Sequence, residues 1–592
     1  MSSTNDNSPA IELEGNTWND SNRLESKHSQ VAGEGMSRAT SGAPLHIMDK
    51  EGGGEDISES ASEHSSDDAH KLNMTQACAL NTLNMFGTGP FITIPFLIAA
   101  TDPPGPQALI GYAMAAIVCI NDAYVWGELG SLYPNSGGSY KYLRETYGRH
   151  SYGQLMAFLF CWQQIISGPL EIASGFIAMS QYLAYITDCN EWWQHSLIGL
   201  AFCVVSMGLL WKDTGEVGHT TVALWVGTVL AIAFTLFAGF IHFDPKNLET
   251  PDNAYSDGFK LFWSFGVAMR IGIYDFMGYY DICFVGDEVK NPSVTIPQAC
   301  VVTCQVVAVV FFAVNFAVIG YLPWHGEDGF VELVEGDTGG ANYIMSLFME
   351  RMFNRGFAIF FTLVVLYTIF GSCFSLLLGY SAIPWAAARD GMFFQWFGHL
   401  HPTKQGLADH SLLATGIMTG LCCFLDLELL INGLVTTRLV CQFIAQAVSV
   451  ILHRKHFPDA ERPYKVRQSA FSVHVDGGDI VMGGMPLYPL PVIICIVFFT
   501  FVFVTTENYI IMNQVPLLEL AIAYLLVGLA VYFPWAKTMG MWPYNGYGYS
   551  MTTPAKGWVD KKEDKDTEMN EKGAKHMLAD LIPGHSQILY LV

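Results

Sequence analysis

The feature that most constrains this chain is a succession of apolar stretches long enough to cross a lipid bilayer. About twelve of them follow residue 71; the ninth, Ser411 to Leu425, is short, and the others approach the ~20 residues that a spanning helix needs. They begin near Leu72, Pro106, Tyr152, Ser196, Thr221, Leu261, Ile296, Gly356, Ser411, Leu429, Leu487 and Pro516. Only 14% of the 592 residues are charged, against about a quarter in soluble proteins. The sequence therefore predicts an all-α, polytopic membrane protein with about twelve transmembrane helices.

Polar segments flank this apolar region. Residues 1–70 are rich in Ser, Gly, Asp and Glu and poor in aromatic residues, which predicts a disordered acidic tail. Residues 71–533 form the predicted membrane domain, and residues 534–592 form a second polar tail. Lysine and arginine are concentrated in the loops on one side, for example at Lys141, Arg389 and Arg454. By the positive-inside rule, both tails of this multi-pass cell-membrane protein are expected in the cytoplasm.

The first apolar stretch is interrupted near its middle by Phe86-Gly87-Thr88-Gly89-Pro90-Phe91. The sixth is interrupted around Gly278, in Phe276-Met277-Gly278-Tyr279-Tyr280-Asp281. In hydrocarbon, an opened helix is tolerated only where it is buried in protein or lines a cavity. Interruptions at corresponding positions of two halves are the best sequence indicator of a transporter binding site. The first offers N–H groups suited to an anion, and the second offers carbonyls suited to a cation.

Ionisable residues within the apolar stretches are functional candidates, because charge at bilayer depth is costly. Glu171 lies in the middle of the third stretch, while Asp275 and Asp281 flank the second interruption. Asp122 lies late in the second stretch, where polar residues usually approach the inner surface. The predicted substrate-binding residues are Gly87, Thr88, Gly89, Glu171, Asp275, Gly278, Tyr279, Tyr280 and Asp281.

Several function classes are disfavoured. The formal net charge of -24 argues against nucleic acid as a partner. The chain has no GxxxxGK[ST] motif for nucleotide phosphates. No Cys/His cluster with the spacing of metal ligands appears in the apolar stretches. We therefore predict that the protein is not an enzyme and that it uses no metal or cofactor.

Five motifs, in this order, resemble those of the amino acid–polyamine–organocation (APC) superfamily of transporters. They are Phe86–Phe91, Trp126–Tyr140, Gly286–Pro292, Ala387–Met392 with His401-Pro402, and Arg462–Val466. The resemblance implies a five-plus-five inverted repeat with broken first and sixth helices. It also implies alternating access, secondary active transport and a third span that faces the site. Glu128, in the second motif, is a candidate for gating.

The resemblance and the acidic residues together favour a transporter that takes up polyamines such as putrescine, or cationic amino acids. Protons are the expected coupling ion, with Glu171 and Asp281 as candidate carriers, and sodium remains open. One alternative is a broad or neutral amino-acid permease of the same fold. A more distant one is a membrane receptor that binds amines without moving them. The expected partners are a small amine or amino acid, protons and the lipid bilayer.

Overall fold

The computed structural model describes residues 71–87, 89–189, 191–211, 217–326, 329–330, 340–402, 407–458, 488–506 and 517–545. The chain divides into two units, 1–65 and 66–592, and all described residues belong to the second. The predicted tail 1–70 lies outside the described residues, as do most of the predicted tail 534–592, Thr88 and the motif Arg462–Val466.

The described residues are helical apart from connecting turns and one isolated β-bridge, between Leu72 and Val289. In chain order the α-helices are α1 (Met74–Met85), α2 (Gly89–Ile92), α3 (Ile94–Ala99), α4 (Ala108–Leu132), α5 (Ser139–Thr146), α6 (Tyr152–Thr187), α7 (Trp192–Trp211), α8 (Val217–Ile241), α9 (Gly258–Phe276), α10 (Pro292–Tyr321), α11 (Ile344–Met352), α12 (Arg355–Arg389), α13 (Asp409–Cys422), α14 (Leu427–Arg438), α15 (Ala445–His456), α16 (Leu490–Val504) and α17 (Leu517–Met539). Short 3₁₀ segments cover Pro245–Leu248, Asp281–Glu288, Gly340–Tyr343 and Gln395–Gly398, and a π-helical turn, Leu439–Ile444, joins α14 to α15.

Within the described ranges, 7 helices are long and apolar enough to cross a membrane. They are α4, α6, α7, α10, α12, the continuous helix 427–456 and α17. Two shorter apolar helices are Trp225–Ile241 and Leu490–Val504. Large apolar side chains on their outer faces are exposed, such as Phe237 at 66% and Val309 at 72%. Helices that are apolar on their outer faces as well as their inner ones are typical of a multi-pass membrane protein. The last of them, α17, continues past residue 533, where the second tail is predicted to begin.

Two central helices, α4 and α6, organise the packing. Helix α4 packs against α9, α10 and α16, and α6 packs against α7, α12, α13 and α14. Small residues allow close approach, as is usual between membrane helices. A Cβ atom on Gly111 of α4 would lie 2.6 Å from the Cβ of Ala268 on α9, and one on Gly272 would lie 2.7 Å from that of Ala115. The α4–α9 contact therefore fixes the helix that leads into the second interruption.

Helices end where the glycines predict interruptions. Helix α1 ends at Met85 and α2 begins at Gly89, while α9 ends at Phe276 and the next 3₁₀ segment begins at Asp281. Gly278 has a φ of 113°, which a residue with a side chain rarely adopts. Asn81 donates to the Tyr279 carbonyl at 2.7 Å and accepts from the Ile282 N–H at 3.0 Å. One α1 side chain thus satisfies backbone groups on both sides of the second interruption.

Candidate functional site

A buried ion pair lies beside the second interruption. Oε2 of Glu171, on α6, is 2.7 Å from Nη1 of Arg438, on α14. The hydroxyl of Tyr380, on α12, donates to the same oxygen at 2.8 Å. Arg438 is 0% exposed and Glu171 is 8% exposed. Buried charges are tolerated when they are paired and hydrogen-bonded, so each group offsets the cost of burying the other.

The guanidinium of Arg438 joins this ion pair to the second interruption. It donates to the hydroxyl of Tyr280 at 3.0 Å, to Sδ of Met277 at 3.3 Å and to Oγ of Ser167 at 3.2 Å. It also lies over the Tyr380 ring, 5.2 Å from the centroid. The π-helical turn 439–444 begins at the next residue, and such turns occur frequently at functional sites. Arg438 therefore links α6, α12 and α14 to the segment that carries Tyr280.

Asp281 lies next to this network and lines a small cavity. Its Oδ2 accepts a hydrogen bond from Nδ2 of Asn84 at 2.7 Å, and Ser375 donates to Oδ1 of Asn84 at 3.1 Å. Oδ1 of Asp281 is buried and has no hydrogen-bond partner among the described residues. Tyr380 and Phe284 also line the cavity, which offers about 20 Å³ to the centre of a water-sized sphere. That is room for roughly one water molecule, so the structure is closed around Asp281.

Asp275 lies in a second polar cluster, beside the first interruption. Its Oδ2 accepts from the hydroxyls of Thr93 at 2.8 Å and of Tyr112 at 2.9 Å. A Cβ atom on Gly89 would lie 3.8 Å from the Cβ of Asp275 and 3.2 Å from the Phe311 ring. Asp275 thus ties α9 to α4 and to the segment after the first interruption.

The two tyrosines of the second interruption point to different partners. The Tyr279 hydroxyl donates to Oδ2 of Asp122, on α4, at 2.5 Å. The Tyr280 ring stacks on Trp126 with the ring centroids 4.5 Å apart. Asp122 is 0% exposed and contacts the second interruption from within the protein. Its position along α4 did not reveal which face of that helix it occupies.

Glu128, the predicted gating residue, lies apart from these groups. Its two carboxylate oxygens accept from Nε and Nη2 of Arg454, on α15, at 2.8 and 2.5 Å. The Arg454 guanidinium also stacks 3.9 Å from the centroid of the Tyr488 ring. A bidentate pair of this kind fixes both side chains in one geometry.

The structure brings together Glu171, Tyr280 and Asp281, which share Tyr380 and Arg438 as neighbours. Asp275 and Glu128 lie elsewhere. The sequence interpretation missed Asn84, Ser375 and Tyr380 as members of the site. Asn84 had a usable signal, because an amide in an apolar stretch two residues before an interruption needs a polar partner.

Two other features, a groove and a side-chain cluster, are less suited to bind a charged ligand. A groove of about 440 Å³ between α7 and α13 is lined by apolar side chains such as Leu200, Met207 and Phe424. At the start of α13 and in the connection before it, His399, Asp409 and His410 hold possible metal-ligating atoms within 4.8 Å of one another. The two imidazole rings are stacked at an angle of 15°, so their in-plane lone pairs do not converge on one point.

We expect Gly87→Ala to destabilise the first interruption strongly, because an ideal Cβ there would lie 2.0 Å from Oγ of Ser372 and 2.3 Å from its Cβ. Overpacking of this kind costs about 1–3 kcal/mol. The check is the unfolding temperature of detergent-purified protein. Gly87→Ala combined with Ser372→Gly should recover most of the loss. Equal stability of the single variant and the wild type would contradict the observed contact.

Comparison with known proteins agrees with this architecture. The sequence profile of the amino acid permease family matches residues 72–532. Human cationic amino acid transporter 4 is 27% identical over 435 residues, which are 68% of this chain and 64% of that protein. The human cystine/glutamate transporter is 23% identical over 411 residues, 67% of this chain and 76% of that protein. The methylthioribose transporter of Bacillus subtilis (strain 168) is 22% identical over 406 residues, 64% of this chain and 80% of that protein.

The aligned region is therefore less than two thirds of the length of human cationic amino acid transporter 4. The profile match contains both interruptions and every described residue of the polar network around Asp281. The resemblance to APC transporters that the motifs indicate is thereby confirmed. This multi-pass membrane protein belongs to the amino acid permease family.

Proposed function

We propose that this protein is a secondary active transporter that takes up cationic amino acids by alternating access. The observation that carries the proposal is Asp281, a buried carboxylate with one unbonded oxygen that lines a cavity beside the second interruption. A buried carboxylate needs a positive partner. The nearby cation, Arg438, is already paired with Glu171. A positively charged group of the substrate would supply the positive partner that the carboxylate of Asp281 needs.

The first interruption supplies the complementary end of the proposed site. An amino acid also carries a carboxylate, and main-chain N–H groups around Gly87–Gly89 suit an anion. A polyamine such as putrescine has no carboxylate and would use only the acidic end. The proposal therefore favours cationic amino acids over polyamines. The name of the relative cationic amino acid transporter 4 points in the same direction.

The finer architecture belongs to the same proposal. We assign the two interruptions to the first and sixth of twelve spans, in a five-plus-five inverted repeat. The β-bridge joins Leu72, which precedes the first interrupted segment, to Val289, which follows the second, and so supports their side-by-side arrangement. Closure of the cavity at Asp281 corresponds to an occluded state, and Glu128 with Arg454 forms one of the pairs that must separate when the site opens.

Protons are the proposed coupling ion. Both carboxylates that are predicted to carry protons have other partners in the proposed site. Glu171 is engaged by Arg438, and Asp281 is assigned to the substrate cation. A carboxylate that holds the substrate does not carry a proton at the same time, so coupling calls for a further ionisable group.

A neutral amino-acid permease is the second candidate, because Glu171 and Arg438 cancel each other's charge beside the site. The two candidates differ in what happens at Asp281. In a neutral permease the Asp281 carboxylate would have a structural role, and the protein would prefer substrates without a side-chain charge.

The deciding experiment is uptake of labelled arginine, putrescine and leucine in cells that express the chain, at external pH 5.5 and 7.5 and with sodium or choline as the major cation. The proposal expects arginine uptake that is saturable, faster at the acidic pH and insensitive to sodium. Preferred uptake of leucine would support the neutral permease, and preferred uptake of putrescine would support the polyamine reading. Binding of arginine without accumulation would support the receptor.

A further inference from the structure

Asp122 is a buried carboxyl group that the proposed substrate site does not use. It is 0% exposed. Its Oδ2 accepts from the Tyr279 hydroxyl at 2.5 Å and from Nε1 of Trp126 at 2.9 Å. Its Oδ1 is also buried and has no hydrogen-bond partner among the described residues. Only one of the two carboxyl oxygens of Asp122 therefore accepts hydrogen bonds from the described residues.

Among the described residues, the ionisable groups that face Asp122 include no cation. They are Tyr279, Cys119 on the same helix, Cys304 on α10 and Cys495 on α16. Along α4, Glu128 with its partner Arg454 is six residues away, or about 9 Å of helix. Tyr112 with its partner Asp275 is ten residues away in the other direction, or about 15 Å. Burial without a cation disfavours the ionised carboxylate, while two donors favour it.

Tyr279 connects this carboxyl group to the moving part of the proposed site. Its hydroxyl bonds Asp122 on α4, and its carbonyl accepts from Asn81 on α1 at 2.7 Å. A shift of the second interruption that withdraws the hydroxyl leaves Asp122 with Trp126 as its remaining donor. Conversely, protonation of Asp122 weakens its bond to Tyr279, because hydrogen bonds to a charged acceptor are about twice as strong as neutral ones. Binding of a proton by Asp122 and detachment of the Tyr279 hydroxyl from Asp122 therefore favour each other, as linkage requires.

We propose that Asp122 is the proton-binding residue of this transporter and that Tyr279 transmits its protonation to the second interruption. This inference rests on the transport function proposed above and adds a site apart from Asp281. A proton bound from the acidic side neutralises the carboxylate, and the segment that holds Tyr279 is then freer to move. Release of that proton on the other side restores the ionised carboxylate and its bond to Tyr279.

The test uses the full chain in proteoliposomes that enclose a pH-sensitive dye. Counterflow of labelled against unlabelled arginine at equal pH on both sides reports substrate transport alone. Accumulation of arginine under an acidic external pH, with acidification of the lumen, reports proton coupling. Wild type should show both. Asp122→Asn should still exchange arginine, and its gradient-driven accumulation and arginine-induced acidification should fall at least about tenfold, since a group that binds no proton couples none.

The variant Tyr279→Phe provides a second test, which stays informative even if the Asp122→Asn variant fails to fold. Loss of the hydroxyl removes the contact that transmits protonation, so uptake, normalised to the maximal rate of each variant, should lose most of its dependence on external pH. Tyr124→Phe is the matched control, since its hydroxyl lies on the same helix and accepts from Gln305. The pH dependence of uptake by Tyr124→Phe should match that of the wild type.

The outcomes separate this inference from the function on which it rests. If wild type shows no arginine counterflow, the proposed function fails first. If wild type exchanges arginine but Asp122→Asn still accumulates it under the gradient, or Tyr279→Phe keeps the pH dependence of the wild type, the assignment of Asp122 is overturned. Loss of coupling in Asp275→Asn but not in Asp122→Asn would overturn the assignment and move the proton site to Asp275.

Discussion

Replacing Arg438 with methionine is expected to lower the free energy of unfolding by about 3–5 kcal/mol, the cost of leaving a buried charge without its partner. Arg438 is 0% exposed, and its only ion-pair partner among the described residues is Glu171. The same change also removes donors to Tyr280 and Ser167. The measurement is the thermal unfolding of purified protein in detergent, together with the yield of monodisperse protein.

The double variant Arg438→Met with Glu171→Gln separates charge from packing. Removing both charges should restore most of the lost stability, because the uncompensated carboxylate is then gone. Arg389→Met is a matched control, since Arg389 is exposed at the end of α12 and lies over the Trp385 ring. That change should cost less than about 1 kcal/mol. A double variant no more stable than Arg438→Met alone would show that charge burial is not the cause.

The second large effect is expected at Asp281. Asp281→Asn should raise the KM for arginine uptake by about 30-fold or more, because truncating one partner of a buried charged contact costs about 2 kcal/mol or more. Uptake of leucine, where it occurs, should change far less. The measurement is concentration-dependent uptake of both labelled amino acids in the same cells, corrected for the amount of protein at the surface.

Asp409→Asn provides the matched control for Asp281→Asn, since it makes the same chemical change outside the proposed site. Partial burial opposes ionisation of Asp409, but hydrogen bonds from His399 and from the His410 N–H outweigh it and lower the pKa of Asp409. Uptake by this variant should match that of the wild type. An unchanged KM for arginine in Asp281→Asn would remove Asp281 from the substrate site.

The sequence was sufficient to locate the interruptions of the two helices. Glycine and proline in an apolar stretch leave the backbone without a regular helix, and this local effect does not depend on distant residues. The structure accordingly ends α1 at Met85 and α9 at Phe276. The acidic character of residues near the second interruption was equally readable, because charge in an apolar stretch stands out against its neighbours.

The amino-acid sequence did not show which distant residues pair with each other. Glu171 and Arg438 meet only because α6 packs against α14, and the sequence carries no signal for that contact. Glu171 was predicted to meet a substrate or a proton, whereas the structure pairs it with a guanidinium of the chain itself. Asp122 illustrates the same limit, because its depth along a helix could be guessed but the face it occupies depends on tertiary packing.

The most direct test of the central claim is an experimental map of the protein determined with saturating arginine. The claim is that one substrate molecule bridges the two interruptions. We expect density between them, with the carboxylate within hydrogen-bond distance of main-chain N–H groups at residues 87–89 and a positively charged group against Asp281. Density that lies elsewhere, or arginine bound with its charged groups away from both interruptions, would contradict the account.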